Sequence, residues 1–137
     1  MEFKPAGEII GRPHQVRTVR IIDGPHIPDG EYQFVDMYCT DSLCDCRKTM
    51  IQVLHDGKPV SIINYGWESP SYYKQWMGSD SEDESSEQMS GPSIDITSPD
   101  KLSPKGILRL FNALMDDRWK GMFINNYKTA KASLSKE

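Results

Sequence analysis

The sequence predicts an α+β fold: an antiparallel β-meander of three to five strands with a C-terminal helical hairpin packed on one face. Three observations carry this prediction. In residues 31–39, Tyr32, Phe34, Asp36 and Tyr38 fall on one face of an extended chain, and Gln33, Val35, Met37 and Cys39 on the other. Asp56-Gly57 separates two apolar runs, 49–55 and 60–65, and is a strong short-range hairpin signal. Behind Ser103-Pro104, Ile107, Leu110, Phe111 and Leu114 recur at helical spacing. After a break at Asp116-Asp117, Trp119, Met122, Phe123, Asn126, Tyr127 and Ala130 form a second helical stripe.

The remaining elements follow in chain order within a single domain, 1–137. Residues 1–15 carry Pro5, Gly7, Gly11 and Pro13 and read as an extended arm, which Ile9 and Ile10 can anchor. Residues 16–22 alternate, with Val19 and Ile21 on one face and Thr18, Arg20 and Ile22 on the other, and predict the first strand of a meander spanning 16–77. Gly24-Pro25 and Pro28-Asp29-Gly30 mark a broad turn. Ser69-Pro70 pairs a helix cap with Pro at the first helical position, which predicts a short helix over 71–77. The stretch 78–92 is acidic, Ser-rich and almost free of apolar residues, and predicts a mobile loop. Ile94 and Ile96 alternate with polar residues as an edge strand, which opens the C-terminal unit 93–137.

Charge narrows the partners. The net charge is -4, but Asp80, Glu82, Asp83, Glu84 and Glu87 form one run, and without those five acids 15 acidic residues face 16 basic ones. The rest of the chain is nearly neutral, so nucleic-acid binding is not expected. The first residues, Met1 to Pro5, hold no apolar signal core, and no apolar run approaches the ~18 residues of a membrane span. The expected location is the cytoplasm, where thiols stay reduced and an odd cluster of cysteines favours metal or free thiols over a disulfide.

All the cysteines, Cys39, Cys44 and Cys46, lie within eight residues, between two predicted strands, in the spacing C-x4-C-x-C. Thiolates are soft donors, and closed zinc sites take four ligands, so this hairpin end is a candidate zinc site. Cys44 and Cys46, two apart, point the same way in extended chain, and Cys39 can face them across the loop. The alternative is three reduced thiols packed beside a turn. His14 is the best fourth-ligand candidate, because the first strand should start near Cys39 if it pairs antiparallel with the second. Asp41, Asp45 and Glu68 are the carboxylate alternatives, each of which reads first as an ordinary polar residue. His55, beside the Asp56-Gly57 turn, belongs to the opposite end of the hairpin, some tens of Å away at ~3.3 Å per residue. A thiol- or metal-dependent enzyme using the cysteines is the second reading. It has only Arg47 beside Cys46 as a thiol-activating group, and the chain has no H-E-x-x-H pattern.

Trp67, Tyr72, Tyr73 and Trp76 cluster within ten residues near the cysteine end. They form a candidate surface for a protein or peptide partner, or they simply cover the sheet edge. Asn126 interrupts the last apolar stripe, where it can bond a loop carbonyl or face a pocket. Asp36-Met37-Tyr38-Cys39, Cys44-Asp45-Cys46-Arg47 and Asn64-Tyr65-Gly66-Trp67 together resemble a family of small, uncharacterised bacterial proteins with a Y-C-x4-C-D-C-R core. Members of that family often carry His-Tyr where this chain has Asn126-Tyr127. The resemblance implies no activity.

Overall fold

The computed structural model describes residues 2–11, 16–77, 89–99 and 101–135. Among these residues the chain forms β1 (Phe3–Pro5), α1 (Ala6–Ile10), β2 (Arg17–Ile21), β3 (Gly30–Cys39), β4 (Lys48–His55), β5 (Lys58–Gly66), α2 (Pro70–Met77), β6 (Pro92–Ile94), α3 (Pro104–Leu114) and α4 (Asp117–Leu134). The strands make one antiparallel sheet in the order β1-β3-β4-β5-β6, with β2 paired to β3 as well. Mixed α+β architecture with C-terminal helices on one face is what the alternation and the helical stripes predict.

Alternation in β3 sets the sheet's two faces. Tyr32, Phe34, Asp36 and Tyr38 are all buried, while the residues between them are half-exposed. In β4 and β5, Ile51, Val53 and Ile63 continue the buried face. Ile107 and Phe111 of α3 and Trp119 and Phe123 of α4 close over it as the main core. Each large apolar side chain so buried contributes about 1.5–3 kcal/mol. The Asp56-Gly57 turn needs left-handed backbone at both residues, and has it, with φ 49° and 84°. The starts of α3 and α4 are both capped, at Ser103 where the sequence predicts a cap and at Asp116 where it marks only a break. Ser103 accepts the amide of Gly106 at 3.2 Å, and Asp116 accepts that of Trp119 at 2.8 Å.

The N-terminal segment departs from the predicted extended arm. Phe3–Pro5 pairs with Met37–Cys39, and Ala6–Ile10 then makes a short helix that ends at Gly11 with φ 79°. Ala6 packs with Tyr38, Cys39, Cys46, Tyr127 and Ala130 in a second, smaller core at the cysteine end of the sheet. The acidic stretch expected as a mobile loop lies, over 78–88, outside the described residues. Its far side is anchored, because Ser90 Oγ donates to the Glu68 carbonyl at 2.7 Å and β6 pairs with β5.

Candidate metal centre at the β3–β4 loop

The loop between Cys39 and Lys48 folds back on itself through local polar contacts. Asp41 Oδ1 accepts the amide of Leu43 at 3.0 Å, and the Cys44 amide donates to the Asp41 carbonyl at 3.2 Å. An aspartate bonding its own backbone two residues on is a strong turn former. Arg47 then takes φ 45° and redirects the chain into β4. The result brings the Sγ atoms of Cys39, Cys44 and Cys46 within 4.8 Å of one another. Thiolates around a tetrahedral zinc, at Zn–S of ~2.3 Å, sit roughly 3.8 Å apart. The three sulfurs therefore stand about an ångström or less from such a shell, a distance that side-chain rotation covers.

Cys39 and Cys46 are fully buried, and Cys44 is partly open. Burial, reinforced by the neighbouring sulfurs, pushes the Cys46 thiol up to about 12. Burial and then Cys39 raise Cys44 as well. Both shifts favour the protonated thiol at Cys44 and Cys46, and a metal must displace those protons to bind.

Distant parts of the chain clamp this loop. Lys131, near the end of α4, donates to the carbonyls of Cys39 at 3.0 Å and Asp41 at 2.6 Å. The Tyr127 hydroxyl lies between Asp45 Oδ1, at 3.0 Å, and the Cys44 carbonyl, at 3.4 Å. Tyr73 donates to the Arg47 carbonyl at 2.7 Å, and Tyr72 donates to the Asp45 carbonyl. From the other side, the Thr40 amide donates to the Glu2 carbonyl at 2.9 Å. Lys48 sits close enough to the thiols to feel them. Burial lowers its pKa, the sulfurs oppose that, and its ammonium donates to Asn64 at 2.7 Å.

The candidates read from the sequence separate here. The three cysteines come together. Asp41 is spent on its turn. Asp45 and Glu68 both pair with Arg47, at 3.0 and 3.4 Å. That arginine, first among the causes, holds the Asp45 carboxyl below its usual range. Among the described residues no carboxylate or histidine joins the sulfur cluster. His14 lies outside the described residues. β2 does pair antiparallel with β3, as that candidate assumed, but it begins with Arg17 opposite Phe34, and Phe3 takes the place beside Cys39. His55 is at the far end, stacked on Tyr32 at 4.7 Å.

The aromatic segment covers the loop. Trp67 meets Tyr127 edge-on at 5.3 Å, Arg47 lies over the Tyr72 ring at 4.6 Å, and Trp76 packs on the smaller core. Tyr73 is fully buried, so it cannot belong to the partner surface proposed for it from sequence. Asn126 makes a side-chain contact with β3. Its Nδ2 donates to the buried carboxylate of Asp36 at 3.1 Å, which also accepts from Tyr38 at 2.6 Å. Sequence reasoning missed Lys131 and the role of Tyr127. Their spacing of four residues on one helix places them on one face, and in the structure the ammonium lies 5.5 Å from the ring, but that spacing does not point to the loop they hold.

Among the described residues no helix is long and apolar enough to cross a membrane. No protein-family model matches the chain, and no curated protein or solved structure is similar to it.

Proposed function

We propose that this protein is a small zinc-binding interaction module, with the ion held by Cys39, Cys44 and Cys46. The observation that carries the reading is the convergence of three sulfurs within 4.8 Å on a loop clamped from both ends of the chain. Zinc suits the site because it accepts thiolates and imposes no geometry of its own beyond four-coordination. Three sulfurs leave the fourth position to a group from outside the cluster, with His14 the remaining protein candidate. The exposed parts of Trp67, Tyr72 and Trp76, beside the loop, are the surface offered to a protein or peptide partner. The resemblance to small bacterial proteins rests on these same cysteines.

The enzyme reading has weaker support. A nucleophilic cysteine needs a depressed pKa, and burial moves Cys44 and Cys46 the other way.

Elemental analysis of protein purified without chelator tests the proposal. The expected result is one zinc per chain, lost in the Cys44→Ser variant. Folded protein that contains no metal and takes up no zinc on titration would falsify it.

A further inference from the structure

The three thiols of the β3–β4 loop are not equivalent. Cys39 and Cys46 have no exposed surface, while Cys44 is partly open. Cys44 is therefore the sulfur that a small molecule in solvent meets first. Its side chain also makes hydrogen-bonding contacts with both of the others. All three Sγ atoms lie within 4.8 Å of one another, so a disulfide requires a pair to close by at most about 2.8 Å.

The backbone selects the pair. Cys39 ends β3, paired with Phe3 and held at its carbonyl by Lys131. Cys44 lies on the loop, where its amide bonds the Asp41 carbonyl and turns the chain back toward Cys39. A bond from Cys44 to Cys46 would instead close a small ring around Asp45 alone. Asp45 resists that distortion, because Tyr72 holds its carbonyl while Tyr127 and Arg47 hold its carboxylate.

We propose that a peroxide oxidises this cluster through Cys44, joining Cys44 to Cys39 and discharging the metal ion. The discharge, unlike the bond, rests on the zinc reading above. Sulfurs bound to a metal are thiolates, which is the nucleophilic form. With hydrogen peroxide, Cys44 Sγ attacks one oxygen, the O–O bond breaks, hydroxide leaves and a sulfenic acid remains. Cys39 Sγ then attacks Cys44 Sγ, the S–O bond breaks and a second hydroxide leaves. Each sulfur gives up one electron, the peroxide gains two, and both hydroxides take up protons as water. Two of the three thiolates are consumed, and Cys46 alone does not retain the ion.

Hydrogen peroxide is the probe, added to the zinc-loaded full-length protein. Freed zinc is read with a colorimetric chelator, and the thiols by alkylation in denaturant followed by peptide mass spectrometry. The expected result is zinc released in step with a Cys39–Cys44 disulfide, with Cys46 the remaining alkylated thiol. Dithiothreitol should restore all three thiols and zinc uptake. Cys44→Ser, at a partly open position, should form no disulfide under the same exposure. A Cys39–Cys46 bond that forms in this variant as fast as the parent's bond overturns the route through Cys44. Also fatal are a different pairing in the parent, a bond between chains, Cys44 carried to sulfinic acid without a disulfide, or zinc retained after the bond forms. Protein that takes up no zinc refutes the zinc reading instead. Equilibration of that protein with oxidised glutathione then decides the pairing, which stands if Cys39 and Cys44 join and falls if they do not.

Discussion

Lys131 and Cys39 are 92 residues apart in the chain, and the lysine ammonium donates to the cysteine's carbonyl at 3.0 Å. The same ammonium reaches the Asp41 carbonyl at 2.6 Å. One side chain of the last helix thereby holds both the end of β3 and the start of the loop that carries the thiols. Lys131→Met keeps most of the apolar stem and removes the charge. It should cost about 1–2 kcal/mol, since hydrogen bonds to charged groups are the stronger class and this site is partly exposed. Urea denaturation measures the loss. The same variant should bind zinc more weakly, because the loop is no longer held in place before the metal arrives. Unchanged stability and unchanged zinc affinity would show that Lys131 is a passive neighbour.

Metal removal should separate the thiols from the rest of the fold. Ligand that binds only the folded state stabilises by about 4 kcal/mol at a thousandfold excess over Kd. In zinc, Cys39→Ser and Cys44→Ser should each lower Tm more than His55→Ala does. With a chelator present, the parent should fall toward Cys44→Ser, whose partly exposed site loses little packing. Cys39→Ser should remain below both, because it also places a hydroxyl in a fully buried position. If the chelator leaves the parent's Tm unchanged, the cluster does not hold a structural metal.

The sheet was legible where local pattern and burial agree. Tyr32 to Tyr38 alternates because one face of β3 is core, and Asp56-Gly57 reads as a turn because its backbone demands residues that tolerate positive φ. The Ser103 cap was legible for the same local reason, whereas Asp116, which caps α4, read only as a break. β1 was not, because three residues around a proline have no periodicity, and their place is set by partners 32 to 36 residues further on. Asn126 shows the limit in another way. Its interruption of the apolar stripe was visible, but its partner Asp36 lies 90 residues away, and no spacing rule connects them. The sulfur cluster was legible because all of its members sit in one loop. The clamps on it, Lys131 and Tyr127, were hidden by the same long separation that makes them useful.

Alkaline pH should destabilise the protein through its buried phenols. Burial raises Tyr38 well above its usual value of 10.0, with Asp36 adding to the shift, and burial likewise raises Tyr73. Below pH 10 these phenols are neutral in both folded and unfolded chains, and their contribution is intact. As pH rises past 10, the unfolded chain ionises them and the folded chain does not, so stability falls by up to about 1.4 kcal/mol per pH unit for each such group. Urea titrations from neutral to alkaline pH should show that slope. Tyr73→Phe removes one contributor and should flatten it. An identical slope in the variant would mean that Tyr73 ionises as freely in the fold as out of it.

Gly66, the last residue of β5, should tolerate no side chain. It pairs with Lys48, the first residue of β4, and so sits where the strand returns to the cysteine loop. A Cβ built there collides with the Tyr73 hydroxyl and with the backbone carbonyl of Met89. The first obstacle is the group that donates to the Arg47 carbonyl, one residue beyond Cys46. The second is main chain and cannot rotate aside. Gly66→Ala should therefore cost about 1–3 kcal/mol, the usual range for forcing a methyl into packed surroundings. It should also weaken zinc binding by displacing Tyr73 from the loop. Tyr73→Phe breaks the same hydroxyl contact, so the double variant should lose less than the two single losses combined. Strict additivity of the two changes would mean that the alanine strains Met89 alone, and that Tyr73 holds the loop independently of Gly66.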